Sequence, residues 1–532
     1  MKRICKLVAV LLAAAMLLTG CSAFGSWMQK LLGRQPGAFS EMKYSRPDMD
    51  AFRSQLEVCI TAAEEEDDVE SLMDEVYELY NAFYLFSANY KLANIYFCKD
   101  MTDEYWSQEY TYCMEKTSEV DAGIDKLLHA LADSPLKEEL ETEEYFGEGY
   151  FDSYTGESLW DETFTELMAQ DMKLQSEYDA LRTQALEYSS YYGLLNSSVG
   201  LQLEELLVEM VALRQEIAEY AGYDNYLQFA YEFCYSRDYT PEQAMAYMDD
   251  VRCELVDLYL DISTDTWSDS HQSWSEREIL NYVKSGAQAM GGTMAEAFEF
   301  MEDGKFYDIS YGANKYDASF ETYLHYYSVP YVFVNPQGNA SDPLTFAHEF
   351  GHFCNDYASS GTICSIDVAE VFSQGMEYLS LFYADGGAGL EKMKMAGSLS
   401  VFVEQSAYAS FEHKLYLLED VTVENVRELY AETAEAYGFS RWNYDAREYI
   451  NIAHLYIAPV YMVSYVVSND VAMQIYQAEA TEAGAGRKIM EENLATEEAT
   501  ITDFVDAAGL TDPFTEGRVA QLRETFEKVF DK

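Results

Sequence analysis

The sequence predicts a mostly α-helical protein, and three observations predict it. Proline is scarce, with nine in 532 residues, and proline is the residue that most disrupts a helix interior. Long stretches carry apolar residues at helical spacing, as in Val69–Phe97, Leu201–Ala221 and Pro241–Ile262. Strand signals are few. The length exceeds what one ordinary core holds. It divides into an N-terminal helical region over 46–195 and a second region over 196–532 that carries the motifs.

The first 45 residues read differently. Lys2, Arg3 and Lys6 precede an apolar run from Leu7 to Leu18, which is too short for an ordinary spanning helix. It ends in Leu18-Thr19-Gly20-Cys21, which resembles a bacterial lipobox. That resemblance implies a signal peptide over 1–20, cleavage before Cys21 and lipid on its sulfur, with 21–45 as a tether. The expected place is the extracytoplasmic face of a bacterial membrane, anchored but not spanning. A plain signal peptide with an incidental cysteine is the other reading.

Charge narrows the partners. Lys and Arg total 34 against 94 Asp and Glu, a net charge of −60. Such a surface repels nucleic acid and anionic membrane patches. A solvated surface explains it without basic substrates. No obligate protein partner is evident. Beyond Cys5 and Cys21 an odd set of cysteines remains, Cys59, Cys98, Cys113, Cys234, Cys253, Cys354 and Cys364. Their spacing forms no disulfide framework, so packed free thiols are expected. A Cys354–Cys364 bridge stays open.

One motif carries chemistry. Phe346-Ala347-His348-Glu349-Phe350-Gly351-His352 contains HExxH. On a helix, positions i and i+4 share a face, so His348 and His352 would present two imidazoles to one point. Neutral imidazole is a good zinc ligand, and Glu349 beside the metal suits a general base. Asp342-Pro343 reads as an N-cap followed by the first helical residue. Before it, Val329–Asn335 is β-branched and aromatic, a short strand. Pro330 suits an edge position. The strand is then either core or an edge that pairs with an extended peptide beside Val332 and Val334.

A catalytic zinc site needs a third protein ligand. Glu370 is the best candidate. As a helix, Asp367, Glu370, Ser373, Gln374 and Glu377 share a face opposite Val368, Val371, Phe372 and Met376. The pattern by itself fits a solvated face as well as a ligand.

Taken with HEFGH, this segment resembles the thimet oligopeptidase and oligoendopeptidase F family of zinc peptidases. So does His454-Leu455-Tyr456-Ile457-Ala458-Pro459-Val460-Tyr461-Met462-Val463-Ser464-Tyr465, which by itself reads as an aromatic core helix. Arg214–Ala218, Gly222–Tyr226 and Tyr239–Glu242 extend the match. The resemblance implies a helical two-part peptidase with a deep substrate channel and a small β-sheet beside the HExxH helix. It implies one Zn²⁺ per chain on His348, His352 and Glu370, with Glu349 as general base. His454 and Tyr465 would donate to the substrate carbonyl, with Tyr461 as a weaker substrate contact. Asp367 and Glu377 would support the ligand imidazoles. The chain departs from the family at Phe372, Asn355 and Val463, where proline, histidine and tyrosine are usual. The implied activity is cleavage of internal bonds in oligopeptides. A carboxypeptidase, a dipeptidyl carboxypeptidase or a non-catalytic peptide-binding protein are the alternatives.

Overall fold

Three aspartates start the N-terminal helices. Asp48 accepts the backbone N–H groups of Asp50 and Ala51, Asp68 that of Ser71, and Asp103 those of Tyr105 and Trp106. Each satisfies donors that a helix start leaves without partners. The helices that follow are α1 (Met49–Glu65), α2 (Val69–Lys99) and α3 (Glu104–Ala132). Phe52, Leu72, Val76, Leu79, Ile124 and Leu127 bury their apolar faces in one cluster. Beyond Tyr90, α2 leaves that cluster and enters the main core, so one long helix joins both regions.

This computed structural model describes residues 36–531, apart from 143–144, 157, 186–187, 189–190, 267–272, 362–363, 443 and 497–499. The signal peptide over 1–20 and Cys21 lie outside the described residues. The described residues are 73% helical with a small three-stranded sheet. Onward come α4 (Glu162–Ala185), α5 (Ser198–Tyr220), α6 (Pro241–Thr266), α7 (Glu276–Met290) and α8 (Gly292–Gly304). The sheet precedes α9 (Asp342–Ser359), α10 (Ile366–Tyr383), α11 (Glu391–Ser400), α12 (Ser406–Leu415) and α13 (Val423–Ala436). The last are α14 (Met462–Thr481), α15 (Ala485–Asn493), α16 (Ile501–Ala508) and α17 (Arg518–Phe530), with shorter turns between. Among the described residues no helix is long and apolar enough to cross a membrane, and no disulfide forms.

The sheet corrects one expectation. Its strands are β1 (Tyr307–Asp308), β2 (Phe320–Leu324) and β3 (Val329–Phe333), in the order β1-β3-β2. β3 is central, parallel to β1 and antiparallel to β2. Val332 and Val334 are fully buried, and their N–H groups bond to Phe306 O and Asp308 O. They are core, and no edge is left there for a peptide. Pro330 is tolerated because its missing N–H faces the β1 side, as those of Val332 and Val334 do, and β1 pairs only at 332 and 333; on the far side of β2 the outward Tyr323 carbonyl accepts Lys91 Nζ at 2.6 Å. Two strand residues in β1 are too few to show alternation in sequence.

α10 packs lengthwise between α9 and α14. Gly351 makes the first contact close. A Cβ there would lie 2.5 Å from Phe372 O and 2.6 Å from Ser373 Cα, both backbone atoms. Phe372 itself fills the core against Phe504, ring centroids 5.6 Å apart. Gly351→Ala should therefore force α9 and α10 apart and cost about 1–3 kcal/mol. Chemical denaturation checks this, and unchanged stability would contradict the backbone contact.

Candidate metal centre

α9 begins one residue earlier than the sequence predicts. Asp342 is inside the helix, and its carboxylate accepts Gln337, Gly338 and Asn339 N–H at 3.0, 2.9 and 3.1 Å. It fixes the loop leaving the sheet rather than capping the helix. Pro343 follows as expected. One turn on, His348 and His352 lie on one face with ring centroids 5.2 Å apart.

Across the Gly351 contact, α10 brings Glu370 to both imidazoles. Glu370 Oε2 is 3.3 Å from His348 Nε2 and 3.8 Å from His352 Nε2. One donor atom from each of the three lies within 4.8 Å of the others, a group that could hold a metal ion. The chemistry of the set fits zinc, with two imidazole nitrogens and one carboxylate oxygen. The polar stripe of α10 is not solvated. Asp367, Glu370, Ser373 and Gln374 are all buried, because α9 and α14 both pack on this stripe, α9 meeting Glu370 and α14 meeting Gln374.

Neighbours orient these groups. Ser373 Oγ donates to Glu370 Oε2 at 2.9 Å, and Tyr461 Oη donates to Glu370 Oε1 at 2.6 Å. Tyr461, expected at the substrate, therefore spends its hydroxyl on a ligand candidate. Glu377 Oε1 sits 2.9 Å from His348 Nδ1, and Lys394 Nζ sits 2.9 Å from Glu377 Oε2. Burial pushes the Glu377 carboxyl up, but Lys394 and His348 outweigh it and hold it below its usual value. An ionised carboxylate only accepts, so Nδ1 donates to Glu377, which leaves Nε2 facing Glu370 as the nitrogen that a metal would take once it is deprotonated. Asp367, expected behind an imidazole, has its Oδ2 3.5 Å from Arg237 Nε. Asn355 donates to Leu494 O at 2.7 Å and so ties α9 to the end of α15.

His454, Tyr461 and Tyr465 form a second cluster. Ring centroids are 5.9 Å apart for His454 and Tyr461, 5.8 Å for His454 and Tyr465, and 5.4 Å for the two tyrosines. The Tyr461 bond to Glu370 links this cluster to the metal group. Glu349 is buried on α9 beside His348. Sequence reasoning missed Lys394, which acts from α11, and Arg237, which acts from the loop before α6. It also passed over Gly351, although that glycine stands inside the motif.

Removing the carboxylate behind His348 should loosen metal binding. Glu377→Ala is expected to weaken metal affinity about 10–100-fold, measured by competition with a chromogenic chelator. Unchanged affinity would deny Glu377 that role.

Comparison with known proteins now adds to the geometry. Residues 39–157 match the family model described as the peptidase M3 N-terminal domain. No curated protein matches the sequence. Among solved structures, one titled PZ peptidase A with an inhibitor superposes with a TM-score of 0.80 and 17% identity, covering 93% of this chain and 99% of that one. A structure assigned as an oligoendopeptidase F gives 0.79 and 19% identity over 93% and 99% of the two chains. A Pyrococcus furiosus carboxypeptidase is more distant, at 0.52 and 13% identity over 84% and 98%. The chain thus matches a peptidase M3 N-terminal domain and has the fold of the oligoendopeptidase F structures, which together support the thimet oligopeptidase and oligoendopeptidase F family that its motifs resemble.

Proposed function

We propose that this protein is a zinc metalloendopeptidase that hydrolyses internal bonds of oligopeptides. The convergence of His348, His352 and Glu370, with Glu349 next to His348 on the same helix, carries the reading. Zinc held there would polarise the scissile carbonyl and lower the pKa of a water. Glu349 takes that water's proton and delivers it to the leaving amine. His454 and Tyr465 donate hydrogen bonds to the carbonyl oxygen as negative charge develops on it. Ser373 and Tyr461 hold the Glu370 carboxylate, and Glu377 with Lys394 holds His348. Substrates are short unfolded peptides.

The fold likeness to a carboxypeptidase favours a second reading, in which termini are trimmed. A mixed peptide library, five to forty residues long, separates the two by mass spectrometry of the products. Internal cuts are expected, and successive loss of C-terminal residues would favour the second reading. Glu349→Gln should lower kcat by about 10²–10⁴-fold, the usual worth of general acid–base catalysis. It should do so with zinc still bound. Near-normal turnover in that variant would refute the mechanism. Peptides recovered bound but uncut by both proteins would point to a binding protein.

The start of the chain supports a lipid anchor at Cys21 on the extracytoplasmic face of a bacterial membrane. Metabolic labelling with a fatty-acid probe should mark the protein in its host and leave Cys21→Ala unlabelled. Equal labelling of both would remove the anchor.

A further inference from the structure

The segment from His454 to Tyr465 is held by buried groups from outside it. Residues 454–457 form a short helix, a turn runs through Ala458-Pro459-Val460, and α14 begins at Met462. Val460 has φ 64°. That left-handed conformation is unusual for any residue with a Cβ and most costly for a β-branched one. Such strain persists only where surrounding contacts over-determine it, and it clusters at functional sites.

Those contacts are on hand. Arg237 Nη2 donates to Val460 O at 3.0 Å and to Ser464 Oγ at 2.8 Å. Glu412 Oε1 accepts Val460 N–H at 2.8 Å, and Tyr235 Oη donates to Pro459 O at 2.7 Å. Upstream, Arg214 donates to Leu455 O at 2.6 Å and to Tyr456 O. Of these outside groups Arg237 also reaches the other half of the site, because its Nε faces Asp367 on the helix that carries Glu370. Its guanidinium is sandwiched by Tyr231 and Tyr235, 4.5 and 4.4 Å from their ring centroids. Ser236, with φ 47°, turns the chain just before it. This arginine lies outside every group that the mechanism above employs.

We propose that Arg237 is a positioning residue: it locks Val460 in its left-handed conformation and so sets His454 and Tyr465 against the ligand helix. The inference rests on the reading of His454 and Tyr465 as donors to the substrate carbonyl. A donor misplaced at that oxygen weakens the transition state more than the ground state, so kcat should fall while KM holds.

The test is a cycle of Arg237→Gln, Val460→Gly and the double variant. Glycine adopts φ near +60° without penalty, so it should lessen the need for the arginine. Arg237→Gln is expected to lower kcat about tenfold or more, short of the about 10²–10³-fold for an oxyanion donor removed outright. KM and zinc content should stay near wild type, with Arg237→Lys recovering part of the rate. In the Val460→Gly background the same substitution should cost clearly less. An equal loss in both backgrounds would overturn the proposal. Hydrogen exchange gives a readout independent of turnover. Arg237→Gln should accelerate exchange across 452–465 and leave 342–359 unchanged, and no acceleration would overturn the proposal too. If Arg237→Gln fails to fold, Arg237→Lys, which keeps the charge but loses the fork that reaches Val460 O and Ser464 Oγ, takes its place, with a smaller loss of kcat expected in the same direction and the same overturning results. A wild-type protein that hydrolyses no peptide would sink the proposed function, while the exchange result would still decide this inference.

Discussion

The backbone contact of α9 with α10 at Gly351 is the constraint on which the site depends. The two ligand helices meet with no side chain between them, because none fits between the Gly351 Cα and Phe372 O. Glu370 is one turn from that crossing, and so are His348 and His352. A methyl group at 351 would move the carboxylate away from both imidazoles together. α14 then also packs on α10, and its first turns bring Tyr461 and Tyr465 to the same place. The metal group is thus a consequence of helix packing more than of any one hydrogen bond.

Around that crossing the protein places its few cations with economy. The chain is strongly acidic, yet Arg214, Arg237, Lys394 and Arg518 are buried. Each meets a carboxylate, in Asp171, Asp367, Glu377 and Asp470. Buried pairs of this kind add little net stability, but breaking one leaves a charge stranded. Their geometric effect matters more here, because two of the four fix side chains or backbone beside the candidate ligands.

How much was legible follows from the range of each interaction. His348, Glu349 and His352 show in the sequence because four residues of one helix place them. The long helices show because their apolar residues repeat over many turns. Glu370 was ambiguous for a physical reason: a polar stripe reads as solvated unless one knows that two helices cover it. Lys394 and Arg237 were invisible, because each reaches its carboxylate from a separate element, Lys394 from the next long helix and Arg237 from a loop far upstream. The placement of β3 was misread because its neighbour β1 has only two residues. Tyr461 was expected near substrate and was found on Glu370, a contact that no spacing in the sequence announces.

The bond from Lys91 to the Tyr323 carbonyl has a consequence of another kind. β2 is an outer strand of the sheet, and outer strands with free backbone groups are templates on which foreign chains aggregate. Here the strand is only five residues long, and a charged side chain from α2 occupies one of its outward carbonyls. An ammonium group in that position admits no second strand without being stripped of its partner. The N-terminal region therefore acts as a guard against self-association of the sheet, and a chain that lost α2 would expose an aggregation-prone edge as well as part of its core.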